Sequence, residues 1–159
     1  MSTSYEVVFK KFIKKLKNDT QFFNYKNVPE DEINRMVEDH LITLLNTAID
    51  KLYSFGLPDF DFYDKDDKAQ LFNGNLVVQE IGLLADIMYF AYAEEDRNKL
   101  KALGTVFRTS EINVFSPANE RNSYMNMIET EEVRVNNLIS NYYSRDRHTW
   151  KEKSIYGGI

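Results

Sequence analysis

The stretch from Leu76 to Tyr92, LVVQEIGLLADIMYFAY, constrains the fold more than any other part of the chain. Its only clearly polar side chains are Gln79, Glu80 and Asp86. At about 100° per residue, these three fall in one arc of a helix. Leu83, Ile87 and Phe90 fall in the same arc, while Leu76, Ile81, Leu84, Ala85, Met88 and Tyr92 fill the opposite side. A surface helix keeps one apolar stripe and one wet face, so this one needs cover on more than one side. Either it is the central helix of a bundle or its second side meets another chain. Leu83, Ile87 and Phe90 are therefore the subunit-interface candidates.

The chain can supply such cover. Of its 159 residues, 43% are apolar and 28% charged, a composition that supports a real core in one domain. The net charge of −5 is opposite in sign to that of a wholesale nucleic-acid binder. With no cysteine, disulfides, thiolate zinc sites and cysteine nucleophiles are excluded. The first residues, MSTSYEVVFKK, carry no signal-peptide core, and the run at 76–92 is too interrupted by polar groups for a membrane span. The expectation is a soluble protein made in a cytoplasm, with no membrane contact.

Periodicity supplies the rest of the bundle. Thr3 and Glu6 stand in capping-box spacing, and Tyr5, Val8, Phe9, Phe12, Ile13 and Leu16 line one face of a helix over 4–16, with Lys10, Lys11, Lys14, Lys15 and Lys17 beside it. Asn18 and Asp19 end that helix, and Phe22, Phe23 and Tyr25 follow in a connection. Pro29 opens a second helix over 29–54 at a position where its missing N–H costs nothing. Glu30, Asp31 and Glu32 suit its first turn, its stripe runs from Ile33 to Leu52, and Gly56 stops it. An aromatic, acidic loop follows, with a short helical turn over 68–72, an Asn73-Gly74 turn and Asn75 as cap of the helix over 76–93. Residues 94–103 read as a short helix or a helical turn ending at Gly104, and 106–115 as either helical or extended. Ser116 and Pro117 start the last helix, which runs to about Tyr143 on Tyr124, Met125, Ile128, Val135, Leu138, Ile139 and Tyr142. Residues 144–159 have no stable period. The fold class is all-α: a single-domain bundle of about four main helices over 1–143, with no convincing strand pattern, and an extended C-terminal arm over 144–159.

Chemistry-bearing patterns are few. Asp59, Asp61, Asp64, Asp66 and Asp67 invite a calcium-loop reading, but an EF-hand starting at Asp59 would put Tyr63 at its fifth place and Gln70 at its twelfth. A register from Asp61 puts Tyr63 third and Phe72 twelfth, so the plain reading is a solvated acidic loop with Phe60 and Phe62 turned inward. His40 and His148 are far apart and belong to no metal-binding spacing. Neither a P-loop nor a GxGxxG run occurs, and Glu129, Glu131 and Glu132 read as helix-surface carboxylates. No catalytic, cofactor or metal site is expected. The lysines of the first helix are either a solvated face or phosphate contacts. On the arm, Arg145, Arg147, Trp150, Ile155 and Tyr156 are partner-contact candidates, because large apolar groups on an irregular tail anchor well in a partner groove.

Four segments resemble a known family in their order. They are YEVVFKKFIKKLKND, LITLLNTAID, LFNGNLVVQEIGLLADIMYFAY and FSPANERNSYMNMIETEEVRVNNLISNYYSR, covering about 5–145. The most particular is Phe-Asn-x-x-Leu-x-x-x-Glu-Ile-x-x-Leu-Ala-x-x-Met, from Phe72 to Met88, with Val77 and Ala91 where such proteins usually carry Thr and Trp. The chain is similar to the small head–tail connector (neck or adaptor) proteins of tailed phages infecting Gram-positive bacteria. The resemblance implies a non-enzymatic subunit of a ring, typically a dodecamer, beneath the portal protein at the capsid vertex of the virion. Such a ring passes DNA through its lumen without reading its sequence, touches further neck or tail proteins, and sends a C-terminal arm to the portal or a neighbouring subunit. Assembly in the host cytoplasm is implied with it. The alternative is a small helical DNA-binding or regulatory accessory protein, drawing on the helix-one lysines and on Arg145 and Arg147. An enzyme with an unrecognised site comes behind both.

Overall fold

The computed structural model describes residues 1–16, 27–106 and 118–154, with side chains left aside at 99–106 and 118–121. Its elements in chain order are β1 (Thr3–Ser4), α1 (Tyr5–Leu16), α2 (Glu30–Tyr53), β2 (Lys65–Asp66), β3 (Leu71–Phe72), α3 (Val78–Val106) and α4 (Ala118–Tyr143). The all-α bundle expected from periodicity is what forms. α3 lies at its centre and packs against α1, α2 and α4. One core cluster draws on all four helices and on Phe62 and Phe72. Among the described residues, no helix is long and apolar enough to cross a membrane. The expectations for residues 17–26, for 107–115 and for the helix start at Ser116 and Pro117 lie outside the described residues, as do Ile155 and Tyr156.

The central position of α3 answers the question its composition raises. Leu83 is 7% exposed, Ile87 fully buried and Phe90 1% exposed, all within their own chain. The three are therefore core residues, and the subunit-interface assignment made for them is corrected. The physical reason is that three helices, rather than two, surround α3, so the arc shared with Gln79, Glu80 and Asp86 is covered as well. Asp86 on that arc is neutralised from both neighbours, by Lys15 of α1 at 2.7 Å and Arg134 of α4 at 2.8 Å.

α3 is also longer than expected. Residues 94–103 continue it, because the polar stretch after Ala93 contains no helix breaker and finds partners. Arg97 pairs with Glu94 one turn back and reaches Glu132 of α4 at 3.6 Å.

A second departure is a small antiparallel sheet of order β1-β3-β2, pairing Thr3 with Phe72 and Lys65 with Phe72. Residues Leu71 and Phe72 are extended, so the helical turn expected over 68–72 is replaced by β3. This sheet diverts Thr3 from its expected task. Ser4 Oγ, not Thr3, accepts the Glu6 N–H at the start of α1. Thr3 Oγ1 instead accepts the Leu76 N–H at 2.9 Å, so β1 fastens the segment that leads into α3. Asn75, expected as the cap of α3, lies further upstream with its Oδ1 at 3.5 Å from Thr3 Oγ1. The Asn73-Gly74 turn forms, and glycine is required there: a Cβ at Gly74 would lie 2.5 Å from the Phe60 ring.

The acidic loop is structural, with Phe62 fully buried and Phe60 packed on the core. Asp61 accepts from Tyr53 at 3.0 Å, Asp64 from Asn73 Nδ2 at 2.6 Å, and Asp66 from the Lys68 and Ala69 N–H groups. Among the described residues, no cluster of His, Asp and Glu fit to hold a metal ion occurs. Asp67 accepts from Lys65 and from the Tyr5 hydroxyl at 2.7 Å, fastening the loop to the start of α1. Its hydrogen bond from Lys65, then that from Tyr5, holds its carboxyl below the usual aspartate value.

A depressed carboxyl adds stability that is present above the unfolded-state pKa of about 3.9 and is lost as pH falls through the folded-state value. Asp67→Asn is thus expected to be less stable than the parent at neutral pH and equal to it at about pH 2. Urea unfolding at the two pH values measures this.

Candidate partner-binding site at the C-terminal hairpin

Residues 144–154 do not project as an arm. Arg145 and Glu152 form an antiparallel bridge, Asp146 N–H donates to Lys151 O at 2.8 Å, and Lys153 N–H donates to Ser144 O at 2.8 Å. The tip is closed by Asp146, whose Oδ1 accepts from the His148 and Thr149 N–H groups and the Thr149 hydroxyl. These donors, chiefly Thr149, hold the Asp146 carboxyl below its usual value. Trp150 takes a left-handed φ of 60° that a bulky residue rarely adopts. Its N–H donates to Asp146 O, and the Arg145 guanidinium lies 5.8 Å from its ring centroid.

What fastens this hairpin to the bundle is a buried carboxylate on the arc that Gln79 and Asp86 share with Leu83, Ile87 and Phe90. Glu80 is fully buried in the first turn of α3. Its Oε2 accepts the Val77 N–H at 2.9 Å, the reach-back of a capping box. Its Oε1 accepts the Tyr142 hydroxyl of α4 at 2.9 Å. Arg147 completes the set, donating from Nε to Oε1 and from Nη2 to Oε2 at 2.9 Å. A carboxylate offers about four acceptor sites, and here each meets a donor. Burial first, and the adjacent Glu80 charge second, push the Tyr142 hydroxyl far above the usual tyrosine value. Arg147 also donates to Asn75 O and lies 4.6 Å from the Phe60 ring centroid. Lys153 pairs with Asp59 at 2.8 Å.

The candidates chosen on the sequence therefore separate. Arg147 is spent inside the molecule. Arg145 and Trp150 stack on each other, and Trp150 is half-buried against the core. Both line a groove of about 470 Å³ between α1, α3, α4 and the hairpin, whose walls include Lys11, Gly82, Leu83 and Leu138. The lysine face of α1 separates likewise: Lys10 pairs with Glu6 and Lys15 with Asp86. Lys11 and Lys14 have no ion pair among the described residues, and Lys17 lies outside them. His40 Nε2 donates to Glu95 Oε2 at 3.0 Å beside Tyr92, and His148 is exposed at the hairpin tip. Glu131 holds Arg134 at 3.0 Å.

Gly82 in the groove is unusual. A glycine inside a helix costs about 0.5–1 kcal/mol relative to alanine, and no contact among the described residues demands it. A Cβ there would meet nothing nearer than Lys11 Nζ at 3.8 Å. Gly82→Ala is accordingly expected to stabilise the chain by about 0.5–1 kcal/mol, raising Tm by roughly 1–4 °C for a chain of this size. Thermal unfolding followed by circular dichroism measures it. Comparison of the chain with protein families, with curated proteins and with solved structures finds no match.

Proposed function

We propose that the chain is a structural subunit of the head–tail connector of a tailed phage infecting Gram-positive bacteria. In this reading it forms a ring, typically twelve-fold in such proteins, beneath the portal protein in the virion. The ring joins head to tail and lines the passage for DNA, and it has no catalytic task. The observation that carries the reading is the ordered set of four segments, above all the run from Phe72 to Met88. That run has a physical purpose in this molecule. Phe72, Glu80, Leu84, Ala85 and Met88 are fully buried, and Leu76 is 5% exposed. The run builds the central helix, and its glutamate fastens the C-terminal hairpin, so the resemblance falls on residues that determine the architecture.

Support from surface chemistry is narrower than the sequence had promised. With Leu83, Ile87 and Phe90 inside, the apolar groups left for contacts include Leu57, 86% exposed, with Phe55 and Tyr63 near it in the chain. Mass spectrometry of purified particles, together with co-purification on portal rings, tests the proposal. Presence in the particle and retention by the portal are expected. A protein absent from particles that also ignores portal rings would overturn it, and steep salt-dependent binding to duplex DNA would favour the accessory reading instead.

A further inference from the structure

We propose that the groove between α1, α3, α4 and the C-terminal hairpin receives the 54–61 loop of a second copy of this chain, with Leu57 seated over Gly82. Three independent features of the groove define its occupant. Leu83, Leu138 and Trp150 offer an apolar floor in a space of about 470 Å³, room for several side chains of a docking segment. Gly82 leaves the α3 backbone bare, an arrangement that no contact among the described residues requires and one that admits close approach by another chain. The charge at the rim is positive, because Asp86 is neutralised by Lys15 and Arg134 while Lys11 and Arg145 remain.

The fitting occupant is thus an acidic segment that presents a bulky apolar side chain. Such a segment is present in this same molecule, where Asp61, held only by neutral donors, carries the negative charge while Asp59 is paired with Lys153. Leu57 is 86% exposed and Phe55 42% exposed, the positive φ of Gly56 turns the loop between them, and Asp59 and Asp61 follow. The loop's own Asp59 and Asp61 are held by Lys153 and Tyr53, so Leu57 is presented on a fixed base. Groove and loop are different surfaces, and every copy carries one of each. Used once between successive copies, the contact is head to tail, the kind that closes rings; exchanged reciprocally, it makes a two-fold dimer. It rests on the connector reading in one respect: that copies of this chain assemble with each other.

The single tryptophan lines the groove and serves as reporter. The full chain is titrated with a synthetic peptide of residues 54–61, which contains no tryptophan, up to about 1 mM, a range that detects weak single-segment binding. A saturable change in Trp150 emission is expected, weakened by raised salt. A Leu57→Asp peptide should bind at least about tenfold more weakly, as loss of a buried apolar anchor demands. Gly82→Leu, which fills the groove from a site with open space, should abolish the change while keeping the parent's helical spectrum, and Lys11→Glu on the exposed face should weaken it. No change with the parent peptide, equal binding of the Leu57→Asp peptide, or undiminished binding by Gly82→Leu would each overturn the proposal. Failure here with the protein still present in particles removes this contact and leaves the connector reading. Peptide binding by a protein absent from particles does the reverse.

Discussion

Phe90→Ala is expected to destabilise the isolated chain by about 3–5 kcal/mol, the range for truncating a large aromatic in a packed core. Phe90 is 1% exposed on α3, and Lys51 of α2 places its ammonium 5.0 Å from the ring centroid, so the lysine covers the ring while its charge stays near water. Truncation would remove the transfer free energy of the ring and leave a cavity walled by a rigid helix pair. The measurement is urea unfolding at several protein concentrations. A fall in midpoint independent of concentration is expected, because the loss is internal to one molecule. If Phe90 met a neighbouring subunit instead, the dilute chain would lose little and the midpoint of the parent would rise with concentration. A change below about 1 kcal/mol, the size of a surface effect, would contradict the central placement of α3.

The contrast between Phe90 and its sequence-based assignment shows what periodicity can and cannot decide. Helical projection sorts residues into arcs, and it correctly marked α3 as needing cover on more than one side. It does not count neighbours, so it left open whether α1, α2 and α4 or another molecule supplied that cover. The helices themselves were legible because each is long and strongly periodic, and α1, α2 and α4 end within a residue or two of the expected places where they are described. The polar stretch after Ala93 misled because charge breaks an apolar stripe without breaking a helix.

The sheet was illegible for a different reason. Its strands span two residues each, too few for alternation to appear, and Thr3 was read for its local capping pattern when its partner stood at Leu76. The candidate site shows the same limit of locality. Arg147 and Trp150 drew attention because a cation and a large ring on an irregular tail need explaining. Glu80 drew none, since it is one of three polar groups on an arc shared with Leu83, Ile87 and Phe90, and the arginine that neutralises it stands 67 positions later. The one signal that could have found it is the helical spacing within the run from Phe72 to Met88, where Leu76, Leu84 and Met88, four and eight positions from Glu80, are all core residues.

Arg147→Ala should cost about 3 kcal/mol, the lower end of the range for breaking a buried ion pair. The lower end applies because the Arg147 side chain keeps 15% of its exposure, whereas that of Glu80 keeps none. Attraction across the pair is offset in the parent by desolvation, so the penalty arises mainly from the carboxylate left behind. Tyr142 and Val77 still donate to it, but its charge loses its counterion. A paired replacement separates this penalty from the worth of the pair. Glu80→Gln keeps an oxygen to accept from the Val77 N–H and offers an amide N–H to the Tyr142 hydroxyl oxygen while removing the charge, and Arg147→Met keeps most of the apolar stem. The double variant is therefore expected to be more stable than Arg147→Ala, with a coupling energy of about 1–3 kcal/mol in a double-mutant cycle. Local readouts accompany the global one. Without Arg147 the hairpin keeps its own turn but loses its hold on Glu80, Asn75 and Phe60. Emission of Trp150 should then shift to the red, and trypsin should cut at Lys151 and Lys153 faster than in the parent while the bundle remains folded. A loss under about 0.5 kcal/mol with unchanged Trp150 emission would mean that the pair behaves as an exposed surface bridge, and that residues 144–154 are held by something other than the carboxylate at the head of α3.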